Sequence, residues 1–431
     1  MTLPPVKMNS FGRTLGTRIP LKLSLFLARR ISRSRERTFS RFIIRIAIAA
    51  TALSVGVMII ATALVNGFQQ TVSQKVFSFT GHIHIVRYQP NASPLTEELP
   101  IQASDTLVRA IRALPGVSQV NAFAVKSAIL KTRDEFEQVV FRGMAPGYPW
   151  QSLERYRVSG KFPSLPDSGY SDQVMISAYF ARILKLKTGD RILVYFIEPG
   201  DNPIRVRKLT VCGIYKTDIE EYDRIYVLGD LRLISRLNGW NPGQIGGYEV
   251  FLKDYRLMDT VRSTIFYNLL PDQYTATTIR QIYPNIFDWL NLQTVNGVIV
   301  ITIMAIVALI NMITAILILI LERTNMIGIL KAVGMRDWSL QQVFIYQASY
   351  IVLVGIIAGN IFGLGLSLLQ KTTGFFKLPE ETYYVAVAPI HLVGWEIAAI
   401  DCGTLLVCYL AMMIPSLMVR AVSPVKAIRF K

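Results

Sequence analysis

Three histidines occur in the chain, and two of them, His82 and His84, stand two residues apart in a segment that alternates as a strand. That spacing puts both imidazoles on one face, where they could touch a metal ion. A catalytic zinc needs three protein ligands and a structural one four, and nothing nearby supplies the rest, so the pair reads as surface or interface residues. Asp401, four residues into an apolar run, could relay protons, or be solvated or paired near a membrane interface. The three cysteines make no disulfide framework. Cys212 is isolated, Cys402 and Cys408 point in different directions along one helix, and all three read as buried small apolar residues. No glycine-rich phosphate loop ending in Lys-Ser/Thr, no H-E-x-x-H and no C-x-x-C is present. The residues therefore predict no enzyme, no metal site and no cofactor bound by this chain.

The elements that would hold such residues are mostly built for lipid. Hydrophobic residues make up 52% of the chain and the mean hydropathy is +0.37, too apolar for an ordinary soluble surface. Residues 42–65, 298–321, 344–369 and 397–419 are each apolar over a length that crosses a bilayer, which takes about 20 residues. The expected class is a membrane protein with four transmembrane α-helices and a large α+β extracytoplasmic domain between the first and second. Its divisions are a basic cytoplasmic leader over 1–41 with an interfacial helix at 19–35, a first span at 42–66, an external domain at 67–295 and a second span at 296–321. A cytoplasmic loop at 322–342, a third span at 343–369, a short external segment at 370–396, a fourth span at 397–419 and a cytoplasmic tail at 420–431 complete the order. The basic leader and first apolar run are too long for a cleaved signal peptide, so the run is expected to stay as an anchor.

The net charge of +17 would suit nucleic acid, but its placement points to topology instead. Ten Lys or Arg precede the first span against the single acid Glu36, and the tail adds Arg420, Lys426, Arg429 and Lys431. Basic flanks remain on the cytoplasmic side, which puts both termini and the 322–342 loop inside and the large insert outside, with no nucleic-acid partner. Arg45, near the cytoplasmic end of the first span, reads as a snorkelling anchor.

The loop ERTNMIGILKAVGMRDWSLQQ is more patterned than a connector needs to be. Met326, Ile327, Leu330 and Val333 form one helical apolar face, Gly334 stops that helix, and Asp337 can cap the next. In the third span Gly355, Gly359, Gly363 and Ser367 fall four apart, a line of small residues that lets another helix backbone approach closely without saying which one. Asn360 reads as an interhelical hydrogen-bond donor. In the external region strands are expected at 82–87, 126–131, 138–142, 191–197, 208–215 and, last, 249–253, with helices at 105–114, 177–186 and 259–270. Pro199, Gly200, Asp201, Asn202 and Pro203 mark an exposed hairpin tip.

The order of span, large external domain and three further spans resembles the permease subunits of the MacB/FtsX superfamily of ABC transporters. Glu322-Arg323-Thr324, Ile327-Gly328-Ile329-Leu330-Lys331 and Val333-Gly334 look like that superfamily's coupling-loop motif. Within it the chain is most similar to the lipoprotein-releasing LolC/LolE-type permeases: Asn66-Gly67-Phe68 ends span one as in that group. Leu378-Pro379 with Tyr383-Tyr384-Val385 and Pro389 looks like its short external segment, and Pro415-Ser416 with Ala421-x-x-Pro424-x-x-Ala427-Ile428-Arg429 like its C-terminal signature. The resemblance implies a permease of the bacterial inner membrane, paired with itself or a sister permease and with cytoplasmic ATPase subunits that bind ATP-Mg. It would draw lipoproteins from the membrane towards a periplasmic carrier. Glu322, Arg323, Ile327, Gly328, Leu330, Lys331 and Gly334 would meet the ATPase, with Ile327 and Leu330 inserted into a groove on it. In the family one permease type captures the carrier with an external hook. The hairpin around 198–207 is shorter than a full hook, so a carrier-binding tip and a plain turn stay open. Signalling to cell-wall hydrolases and efflux of macrolides or toxins are the alternative functions of such permeases.

Overall fold

The computed structural model describes residues 38–90, 97–133, 135–166, 169–197 and 204–421. The interfacial helix at 19–35, the hairpin tip Pro199–Pro203 and the signature beyond Ala421 lie outside them. The chain divides into two compact units: one holds Met1–Asn66, Thr294–Thr373 and Ile390–Lys431, the other Gly67–Gln293 and Gly374–Pro389.

Among the described residues, four helices are long and apolar enough to cross a membrane. They are Thr38–Thr80, Pro284–Glu322, Asp337–Thr373 and Gly394–Ala421. The first runs 43 residues without a break, because Asn66-Gly67 contains no proline and is absorbed within it. At 1.5 Å per residue it is about 65 Å long, roughly twice the hydrocarbon thickness of a bilayer. The core of the first unit is mostly aliphatic, with Val55, Ile59, Met312, Ile316 and Ile351 buried alongside Phe344. Cys408 belongs to it, whereas Cys402 is exposed, contrary to the expectation of burial.

The second unit is α+β. Its described strands are β1 (Ile83–Arg87), β2 (Ile101–Gln102), β3 (Val117–Lys131), β4 (Phe136–Met144), β5 (Arg157–Gly160) and β6 (Gln173–Ser177), then β7 (Arg191–Phe196), β8 (Arg205–Tyr215), β9 (Tyr226–Asp230), β10 (Gln244–Ile245), β11 (Gly247–Leu252) and β12 (Tyr274–Thr278). Ten of them form one mixed sheet in the order β12-β1-β11-β3-β4-β9-β6-β8-β5, with β7 joined to β3 and β8, while β2 and β10 pair separately. Glu249 is therefore not on the last strand, as expected from sequence, since β12 follows it and pairs with β1. Tyr-Thr-Ala-Thr-Thr carries too few apolar residues to announce itself, and it is an edge strand whose Ala276 carbonyl accepts from Arg262 Nε at 2.9 Å. Strands β6 and β9 also escaped the periodicity argument. They lie inside the sheet and are buried almost throughout, so alternation is erased.

Candidate functional site

The loop between the second and third long helices folds as a short helix, Thr324–Ala332, set off from Glu322 by a break at Arg323. Its end is a Schellman stop: Gly334 N–H donates to Lys331 O at 3.0 Å and Met335 N–H to Leu330 O at 2.9 Å, with Gly334 at φ +92°. Asp337 is the first residue of the following helix, and its carboxylate lies 2.9 Å from Lys331 Nζ. Ile327 is 0% exposed within the core of the helical unit, Gly328 is buried, and Met326 and Leu330 pack against the same core. Ile327 and Leu330 therefore face the bundle rather than outward as the sequence reading had them. The apolar side chains left outside are Ile329, Val333 and Trp338, with Val333 82% exposed. Glu322 and Arg323 are half-buried at the start of the turn. Ile327 and Ile329 are both apolar, and periodicity alone does not say which side of a short helix meets its own bundle.

The small-residue line of the third helix has a definite neighbour. A Cβ on Gly355 would stand 2.8 Å from Thr51 Cβ, on Gly359 2.7 Å from Ala52 O, and on Gly363 3.0 Å from Gly56 Cα. Ser367 continues the line and is buried. The first and third helices thus approach nearly backbone to backbone. The third and fourth are joined by a polar contact, where Asn360 Nδ2 donates to both carboxylate oxygens of Asp401 at 3.0 Å. Asn66 on the first helix donates from Nδ2 to Glu396 on the fourth.

In the second unit the Tyr383-Tyr384-Val385 segment is folded against the domain. Trp289 stands edge-on to Tyr383 at 6.2 Å and to Tyr384 at 5.4 Å, and Phe68 meets Trp289 at 5.4 Å. Lys75 Nζ donates to Tyr384 O at 3.1 Å and pairs with Asp218 at 2.7 Å, while Lys216 bridges Asp218 at 2.9 Å and Glu380 at 2.5 Å. Burial works against ionisation of Asp218, but Lys75 and Lys216 outweigh it and hold its carboxyl below the ordinary range. Burial, with Glu221 alongside, pushes the Tyr384 phenol up to about 12, so it stays a neutral donor to Glu221. Sequence reasoning missed this network; its one trace was Lys75, the only Lys, Arg, Asp or Glu between Arg45 and Arg87.

Deeper in the domain Arg142 on β4 and Glu249 on β11 form an ion pair with both side chains almost fully buried. The guanidinium also lies 5.3 Å from the Phe79 ring and 5.7 Å from that of Phe123. Burial opposes its charge, yet Glu249 more than compensates and keeps Arg142 above its ordinary range; burial lifts Glu249 to about 7 against the pull of Arg142. The two histidines near this pair point inward, not to a surface. His82 stacks on Phe77 at 4.3 Å and accepts from Leu252 N–H, while His84 Nε2 lies 2.7 Å from Thr80 O. Burial lowers His82 to about 4, and burial with the Arg142 charge lowers His84 to about 3, so both imidazoles are neutral at physiological pH.

Known proteins match both units. A family model described as FtsX-like permease C-terminal matches residues 298–424, and one described as MacB-like periplasmic core domain matches residues 46–265. The lipoprotein-releasing system transmembrane protein LolC of Xylella fastidiosa (strain Temecula1) is 23% identical over 95% of this chain and 99% of its own. LolC of Neisseria meningitidis serogroup B is 23% identical over the same shares, 95% and 99%. The corresponding LolE of Haemophilus influenzae is 20% identical over 91% of this chain and 95% of its own.

Proposed function

The chain belongs to the MacB/FtsX superfamily of ABC-transporter permeases, within it to the LolC/LolE type, and on that premise we propose that it couples ATP hydrolysis on separate cytoplasmic subunits to extraction of lipoproteins from the bacterial inner membrane. The observation that carries the reading is the two-faced short helix between the second and third spans. Ile327 and Leu330 anchor it to the bundle, and Ile329, the C-cap Val333 and, at the start of the third long helix, Trp338 remain outside for a partner. A push on that outer face would be passed to the bundle, because the Schellman stop and the Lys331–Asp337 pair tie the short helix to the start of the third span.

The chain supplies no chemistry to the cycle in this reading; ATP-Mg is handled by the partner ATPase. Exposing acyl chains to water costs about 0.8 kcal/mol per CH₂, so extraction of a multi-chain lipid anchor needs a shielded path and an energy source. The first two long helices, which run far beyond a bilayer's thickness, could line that path beside a second permease, this chain again or a sister. Orientation follows from the basic flanks, with both termini cytoplasmic. A periplasmic carrier would receive the cargo.

The test is release of radiolabelled lipoprotein from inner-membrane vesicles holding the permease and its ATPase, with ATP and purified carrier added or withheld. Release that requires both is the expected result. ATP hydrolysis without release would overturn lipoprotein extraction and move the function to signalling or efflux.

A further inference from the structure

The external domain contains a cavity of about 300 Å³ that the transport reading leaves unused. That volume is at the lower end of small-molecule sites, and is several times what a lone carboxylate group or a water fills. Its floor is one face of the sheet. The register sets His84 of β1 beside Thr277 of β12 and Val86 beside Thr275, so both hydroxyls share a face with the imidazole. Arg142 closes the inner end, Glu98 and Tyr283 stand on other walls, and exposed Arg87 stands at the rim.

Several of the polar groups here can donate, among them the Thr275 and Thr277 hydroxyls. Arg142 is 2% exposed, and although one terminal nitrogen serves Glu249, its Nε has no partner. His84 commits Nε2 to Thr80 O and stays neutral, leaving Nδ1 as an acceptor. Glu98 accepts from Val125 N–H at 3.0 Å, and burial raises it to about 8, so it carries a proton at neutral pH and adds a further donor. Because Glu249 answers the charge of Arg142, the positive charge left over is that of Arg87. The complement to such walls is an acceptor-rich anion. Val86, Phe123 and Val125 supply an apolar side that an inorganic ion would leave unused.

We propose that this cavity binds a small organic carboxylate, its oxygens held by the Thr275 and Thr277 hydroxyls and the Arg142 guanidinium, with Arg87 drawing the anion in and Val86, Phe123 and Val125 packing its carbon skeleton. The proposal does not depend on lipoprotein transport.

The experiment uses the full chain in detergent micelles and follows thermal unfolding by tryptophan fluorescence. The probes are acetate, succinate and benzoate, each matched in ionic strength with sodium chloride, alongside succinamide as an uncharged analogue and sodium sulfate as an inorganic anion. At least one carboxylate should raise the melting temperature in a saturable way, while succinamide and sulfate should not. The paired change Thr275→Val and Thr277→Val removes hydrogen bonds to a charged ligand and should weaken binding at least about tenfold, with Arg87→Ala weakening it less. Both sites are on partly exposed side chains, so the variants are expected to fold; an unchanged melting temperature without ligand verifies that. No shift with any of the three acids, an equal shift with succinamide or sulfate, or a shift that survives the double change would each overturn the site.

Discussion

Lys331 Nζ and the Asp337 carboxylate meet at 2.9 Å across Gly334, tying the last turn of the short helix to the first turn of the third long helix. Asp337 is 47% exposed, so the pair adds at most about 1 kcal/mol to stability. Its importance is geometric: it joins the two helices across the turn at Gly334.

The first prediction separates the two faces of that helix. Val333→Asp alters an exposed position and should leave folding within about 0.5 kcal/mol, yet reduce lipoprotein release per ATP at least tenfold. Ile327→Asp would bury an unpaired charge, and loss of folded protein on size-exclusion chromatography is expected. If Val333→Asp released normally while folded Leu330→Asp did not, the ATPase contact would lie on the inner face instead.

A second prediction concerns the line of small residues. Gly359→Ala would place a methyl 2.7 Å from Ala52 O, a backbone atom that cannot swing aside, and should cost about 1–3 kcal/mol as overpacking. Gly365→Ala, six residues on, meets nothing within 4 Å and should be neutral or stabilising by up to about 1 kcal/mol from helix propensity. Thermal unfolding of both variants in one detergent gives the comparison; equal melting temperatures would refute the close approach to the first helix.

For the buried pair, Arg142→Met or Glu249→Leu alone leaves a charge without its partner, and each should destabilise the external domain by about 3–5 kcal/mol. The double variant should recover much of that loss, as replacement of a buried pair by apolar groups is often close to neutral. Urea unfolding followed by circular dichroism measures it, and a double variant as unstable as the sum of the singles would show that the charges do more than neutralise each other.

Acid sensitivity of the same region follows from His84. Its folded pKa, about 3, lies below the ordinary value of 6.5, so the unfolded chain takes up a proton that the folded one refuses. The stability contribution is full above pH 6.5 and is lost as pH falls from there towards 3, at up to about 1.4 kcal/mol per pH unit. His84→Gln should flatten the slope of stability against pH below 6.5 by about one proton. Hydrogen exchange at β1 and β12 amides, read at pH 7, 6 and 5 in both proteins and corrected for intrinsic rates, reports the difference. Glu98, raised to about 8, acts in the opposite sense between its ordinary range and pH 8, and cancels in the comparison.

The amino-acid sequence by itself determined the membrane architecture. Four apolar runs are each long enough to cross a bilayer, and the Gly334 stop and the Gly355–Gly359–Gly363 line are local backbone facts written in residue type. Tertiary structure decided what those features meet. Small residues four apart announce a close neighbour, but only packing identifies Thr51, Ala52 and Gly56 as that neighbour. An amphipathic helix announces two faces, but only its seat on the bundle turns Ile327 inward and leaves Val333 outside. Strands β6 and β9 were hidden because burial on both faces erases the period-two signal, and β12 because an edge strand can be built from threonines. Arg142 and Glu249 are 107 residues apart, and no spacing rule joins them. A buried arginine in an apolar strand requires an answering carboxylate, and which one answers is set by a sheet order that places β11 and β4 on either side of β3.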